Sequence, residues 1–164
     1  MDGLQAAAID CNPWPAYQAD AQAKFLIAHN GDAILLKYII SEQYLVANEG
    51  TNGNIHNDSC VELFIAFGDE GYYNLEFNCL GFTKIGYGYD RLDRELLPVE
   101  VIKQLSFSSK INANSTINSN EGFDWEIMLV IPKEIFIKHQ ISSFHHLNAK
   151  GNFYKCGDGL PQPH

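Results

Sequence analysis

Two acids and an amide, Glu62, Glu76 and Asn78, lie in the stretch that carries the most chemical promise. This is residues 58–81, DSCVELFIAFGDEGYYNLEFNCLG. Carboxylates and an amide held beside aromatic rings suit the hydroxyls and C–H faces of a sugar. The three must share a surface to act together, so the question is which elements hold them. Before residues 68–71, Val61, Leu63, Ile65 and Phe67 alternate with Cys60, Glu62, Phe64 and Ala66. After it, Tyr73, Leu75, Phe77 and Cys79 alternate with Tyr72, Asn74, Glu76 and Asn78. Period-two alternation marks a strand with one buried face, and Gly68-Asp69-Glu70-Gly71 supplies a turn.

Opposed residues in an antiparallel pair point to the same side. Matching the apolar sets places Val61 opposite Cys79, Leu63 opposite Phe77 and Ile65 opposite Leu75, or the same pairing shifted by two. A one-residue slip would drive Glu76 and Asn78 into the core. Either permitted register sends Glu62, Glu76 and Asn78 to one face, with Phe64 and Tyr72 beside them. A plain solvated sheet face would show the same pattern.

Other strands follow the same logic. Residues 23–29 alternate Phe25, Ile27 and His29, and Asn30-Gly31 signals a hairpin. Residues 33–42 return through Ile34, Leu36, Tyr38 and Ile40, with Ile27 expected opposite Ile34. Residues 106–111 and the run from Trp125 to Ile131 read as further strands. Pro98 and Pro132 each open a short helical segment. Residues 1–22 read as an irregular lead-in with the Trp14 indole packed on the surface. Residues 47–57 and 112–122 read as polar loops, and Gly86 and Gly88 as turn residues. Many short strands with little helix predict an all-β fold. Its form would be an antiparallel β-sandwich of jelly-roll or immunoglobulin-like type, with one or two short helices.

The chain has 164 residues, enough for one domain spanning 1–164. A net charge of −9 repels a phosphate backbone, which argues against nucleic acid as a partner. No apolar run is long enough to span a bilayer as a helix, so no membrane partner is expected. The start lacks the basic and apolar regions of a leader. The expected location is therefore the cytoplasm, or the periplasm or exterior if a leader has been removed. Cys11, Cys60, Cys79 and Cys156 form no zinc-type pair. Ser59 has no nucleophile elbow, and the adjacent His145 and His146 point apart.

The order of strand, His29-Asn30 turn, strand, loop, the DSCVE run at 58–62 and the YNLEFNCLG run at 73–81 resembles family 9 carbohydrate-binding modules and their bacterial relatives. Trp125 to Pro132 and NFYKCGD at 152–158 resemble the same relatives, so the likeness spans roughly residues 12–164. The resemblance implies a β-sandwich that binds oligosaccharide or polysaccharide, in company with enzymes that degrade xylan and glucan. It implies sugar contacts at Glu62, Glu76 and Asn78. An aromatic clamp residue of the family falls near His56, and its second ring would lie beyond His164, so the chain looks cut short at its C-terminal end. Arg91 and Arg94 are candidates to pair with the carboxylates or a ligand. The resemblance also implies structural calcium, with the loop from Asn48 to Asp58 as a possible holder. Two alternatives stand beside binding. Glu62 and Glu76 are a conceivable glycoside-hydrolase pair, and the sandwich could have lost its sugar site altogether.

Overall fold

The computed structural model describes residues 3–14, 16, 17, 20–117 and 120–164. In chain order the strands are β1 (Ala7–Ile9), β2 (Gln22–His29), β3 (Ala33–Glu42), β4 (Cys60–Ala66), β5 (Tyr72–Asn78), β6 (Thr83–Gly88), β7 (Glu95–Leu96), β8 (Ser106–Ile117), β9 (Asn120–Pro132) and β10 (Lys150–Cys156). One helical turn, α1 (Val99–Ile102), and two 3-10 turns (Ile55–Asn57 and Lys133–Ile135) interrupt them. One sheet runs β1-β2-β3-β9-β8 and the other β10-β4-β5-β6-β7, five strands each. Every pairing is antiparallel. The all-β sandwich expected from the alternation is the observed fold.

The core forms where the two sheets face one another. Ile34, Leu36, Tyr38 and Ile40 from β3 and Trp125, Ile127, Leu129 and Ile131 from β9 meet Val61, Leu63, Ile65, Tyr73, Leu75 and Phe77 from β4 and β5. Tyr38 ties the layers together: its hydroxyl donates to the Glu62 carbonyl at 2.8 Å. A second tie is an ion pair at one end of the sandwich. Lys155 Nζ lies 2.8 Å from Glu42 Oε2, both side chains almost fully buried, and Trp125 Nε1 donates to Glu42 Oε1 at 2.6 Å.

Both hairpins keep the expected parity but take a register two residues away from the one favoured. In β4 and β5, Val61 opposes Phe77, Leu63 opposes Leu75 and Ile65 opposes Tyr73. The hairpin's own turn makes the choice, with Gly68 and Gly71 at φ +76° and +91° closing it. At the far end of β5, Gly81, at φ +87°, donates its N–H to the Asn78 carbonyl and ends the strand there, leaving Cys79 in the turn that follows. In β2 and β3, Ile27 opposes Leu36. Asn30 acts as a corner rather than a turn centre. Its side-chain oxygen accepts from the backbone N–H groups of Asp32 and Ala33, so Gly31 and Asp32 form the loop.

Several sequence expectations are corrected. The lead-in contains strand β1, paired to β2, although Met1, Asp2, Pro15, Gln18 and Ala19 lie outside the described residues. The Trp14 indole is 58% exposed rather than packed away. Residues 112–117 and 120–122 extend the β8 and β9 hairpin instead of forming a loop; polar residues suit these strand ends because Asn112 and Ala113 are exposed there. Asn118 and Ser119 lie outside the described residues. Gly86 and Gly88 sit within β6, opposite Asn74 and Tyr72, and not in a turn.

Candidate functional site

The register decides which side chains are neighbours. On the outer face of the β10-β4-β5-β6 sheet, Tyr154, Glu62, Glu76 and Lys84 form one cross-strand row. The next row holds Asn152, Phe64, Asn74 and Gly86. Glu62 therefore stands directly across from Glu76, and both are nearly sealed, at 7% and 4% exposed.

Two flanking elements close over the acids. The 3-10 turn at Ile55–Asn57 brings His56 Nδ1 to 3.7 Å from Glu76 Oε2. That turn is backed by the C-terminal segment, where Asp158 N–H donates to the His56 carbonyl at 2.9 Å and Gly159 N–H to the Asn57 carbonyl at 3.1 Å. From the other side, Arg94 lies across β6. A Cβ at Gly88 would stand 2.9 Å from Arg94 Cα, and one at Gly86 3.3 Å from Arg94 Cβ. The two glycines thus make the bed in which Arg94 rests. Its guanidinium donates to the Asn74 side-chain oxygen, and Asn74 Nδ2 donates to Glu62 Oε2 at 3.1 Å. Arg94 also stands 5.9 Å from the Phe64 ring centre and 5.8 Å from that of Tyr72.

Burial pushes the Glu62 carboxyl up to about 7, and the Glu76 carboxylate opposite adds to the rise. Hydrogen bonds from Cys156 and Asn74 and the Arg94 charge act in the other direction. Two neighbouring carboxyls in a dry setting cannot both hold full charge cheaply. Glu76 has Lys84 Nζ at 3.8 Å, yet its Oε2 atom is buried without a hydrogen-bond partner among the described residues.

Beside these acids runs a strip of rings. Tyr72 and Phe64 lie 5.9 Å apart between ring centres, Phe64 and Tyr154 5.3 Å, and Tyr154 and Trp14 6.4 Å. Tyr72, Phe64 and Tyr154 are half-buried, so each still offers part of a ring surface. A separate cleft of about 400 Å³, lined by Lys133, Glu134, Phe136, Ile137, His139 and Gln140 among others, contains none of these groups.

The sequence model for "Carbohydrate-binding family 9" matches residues 1–164. The chain belongs to carbohydrate-binding family 9. It is 34% identical to a solved structure from Bacteroides uniformis ATCC 8492, described as a "putative carbohydrate-binding protein". That match has a TM-score of 0.87 and covers 99% of this chain and 75% of the other. Two solved family 9 structures from Caldicellulosiruptor kristjanssonii are also similar. One, in complex with glucose, has a TM-score of 0.45 and 10% identity, covering 85% of this chain and 61% of that one. The other, in complex with cellotriose, has a TM-score of 0.36 and 13% identity, covering 73% and 59%. No curated protein matches the chain.

In this family 9 chain the structure brings Glu62, Glu76 and His56 together and sets the other two named candidates apart. Asn78 is fully buried and its amide is spent within the protein. Its Nδ2 donates to Asp58 Oδ2 and the Glu49 carbonyl, and its Oδ1 accepts from the Leu80 and Phe82 N–H groups. Asn78 therefore fastens the 47–58 loop instead of facing a ligand. Arg91 is exposed in the loop after β6, and its carbonyl accepts from Arg94 Nε. It is Arg94, three residues on, that reaches the acids. Glycines at 86 and 88 were the signal for this, because their missing side chains leave room only opposite Asn74 and Tyr72. Tyr154 and Trp14 were missed as ring candidates. No local pattern marks them, since both arrive through pairings distant in sequence.

In the loop from Asn48 to Asp58 the Asp58 carboxylate is not free to ligate calcium. Asp58 Oδ1 accepts from the Asn48 N–H, and Oδ2 from the Glu49 N–H and Asn78 Nδ2. That carboxylate is occupied by donors. No group of three or more His, Cys, Asp or Glu among the described residues could hold a metal ion.

Proposed function

We propose that this carbohydrate-binding module takes plant-type oligosaccharide or polysaccharide ends, xylan among them, on the outer face of β10-β4-β5-β6. The single observation that supports this reading is the ring strip of Trp14, Tyr154, Phe64 and Tyr72 lying along Arg94 and the Glu62 and Glu76 row. Partly exposed rings stack on the C–H faces of sugars. Arg94, His56 and Lys84 at the edge supply directional partners for hydroxyls, while the sealed acids hold those groups in place. Such binding fits a role beside polysaccharide breakdown.

Titration calorimetry with xylo- and cello-oligosaccharides tests it. One of them should bind measurably, and Tyr154→Ala should weaken that binding roughly tenfold through loss of stacking area. Absence of heat with every sugar, or unchanged affinity in both Tyr154→Ala and Trp14→Ala, overturns the assignment of this face.

A further inference from the structure

Cys60 and Cys156 are directly opposed across β4 and β10, where they form the terminal pair of that ladder. Both are free thiols. Directly opposed residues of an antiparallel pair project to the same face, with Cα atoms about 4.5–5.5 Å apart. A disulfide accepts Cα separations of roughly 4.4–6.8 Å, so no backbone movement is needed to reach that range. We propose that Cys60 and Cys156 form a reversible cross-strand disulfide that locks β10 onto β4.

Exposure sets the order of events. Cys60 is wholly buried, whereas Cys156 retains some contact with solvent. The co-reactant is a small disulfide, RSSR. The Cys156 thiolate attacks one sulfur of RSSR, forming a mixed disulfide and releasing RS⁻. The Cys60 thiolate then attacks Cys156 Sγ and releases the second RS⁻. The two thiol protons end on the leaving thiolates, so the protein loses two hydrogens and RSSR becomes two RSH.

The neighbourhood governs the speed. Burial, followed by the Glu62 carboxylate, pushes both thiols well above their ordinary value. The Cys156 thiol also donates to Glu62. Little thiolate exists near neutrality, so the pair should oxidise slowly there and faster as pH rises. Once the disulfide forms, that donor to Glu62 is gone, and the carboxyl should titrate still higher.

The experiment uses the full chain carrying Cys11→Ser, which removes the exposed thiol. The protein is equilibrated in buffers of oxidised and reduced glutathione, quenched with an alkylating agent and mapped by mass spectrometry. The expected result is a Cys60–Cys156 linked peptide with Cys79 alkylated. It should come with a rise in melting temperature of roughly 5–15 °C that dithiothreitol reverses. Adding Cys60→Ala should stop the reaction at a glutathione adduct on Cys156, and Cys156→Ser should leave Cys60 unreacted. Free thiols at both positions under the most oxidising buffer, a stable glutathione adduct with Cys60 present, or a different linked pair each overturn the proposal.

Discussion

The outer faces of the two sheets use the same residue types to opposite ends. On the β3-β9-β8 face, Glu126 is flanked by Lys37 Nζ at 2.6 Å and Lys110 Nζ at 3.6 Å, and it remains 32% exposed. The hydrogen bond from Lys37 leads in holding its carboxyl below the usual value. On the β4-β5 face, Glu62 meets another acid across the ladder, and burial raises it to about 7. Strand parity sends both side chains outward, so parity cannot be the difference. What differs is the cover. The 3-10 turn carrying His56, the Arg94 loop and Tyr154 wall in the second face, while solvent reaches Glu126. A sheet face becomes a site when elements from elsewhere in the chain exclude water from it.

Removing the buried acid should break this contrast most strongly. The unfolded chain ionises residue 62 near 4.5 and the folded chain near 7. Between those values the unfolded state gives up a proton that the folded state keeps. Wild-type stability is therefore eroded as pH climbs through that window, by about 3 kcal/mol at the upper end. Glu62→Gln keeps an acceptor for Asn74 Nδ2 and carries no charge. It should be more stable than wild type by about that amount at pH 8, with the advantage gone below pH 4.5. Urea unfolding across that range measures it, and a pH-independent difference would contradict the burial argument.

Arg94→Met comes next. It removes a charge-assisted hydrogen bond to Asn74 and the cation above Phe64 and Tyr72, for a loss of about 1–2 kcal/mol. It should also move the Glu62 titration upward, because the Arg94 charge favours the ionised form. Carbon-detected NMR of the glutamate carboxyls reads that shift. An unchanged midpoint would mean that Arg94 shapes the cover without acting on the acid.

The contrast also explains what a reader of the sequence can and cannot recover. Alternation alone placed Glu62 and Glu76 on one surface, because the face of a strand residue depends only on its parity. It could not choose between registers two residues apart, since both bury the same apolar set; the positive-φ Gly68 and Gly71 and the Asn30 side chain made that choice through local turn chemistry. The family likeness pointed to Asn78 as a sugar contact, yet Asp58 claims its amide. The cover was the least legible part. Tyr154 reaches Glu62 by the β10 pairing, and His56 is fixed by Asp158 and Gly159 from the chain's end. Such long-range contacts leave no periodicity to read.

The exposed counterpart sharpens the comparison from its weak end. Glu126→Gln removes its pairs with Lys37 and Lys110, the closer of which joins side chains about a third exposed, at 29% and 32%. Solvent screens them, and ordering the long side chains offsets part of the attraction, so the loss should be about 0.5 kcal/mol and no more than 1. The sign is opposite to that of Glu62. A carboxyl held low contributes stability above its ordinary value of 4.5, and that contribution disappears as pH falls through the folded value. The wild type should therefore lead the variant slightly at neutral pH and match it in acid. Raising salt to about 1 M should shrink the gap, since screening acts within about 3 Å there. The Glu62→Gln advantage, arising inside a water-poor setting, should survive the same salt. If both differences fade together, the two faces are equally wet and the cover over β4 and β5 does not seal its acids.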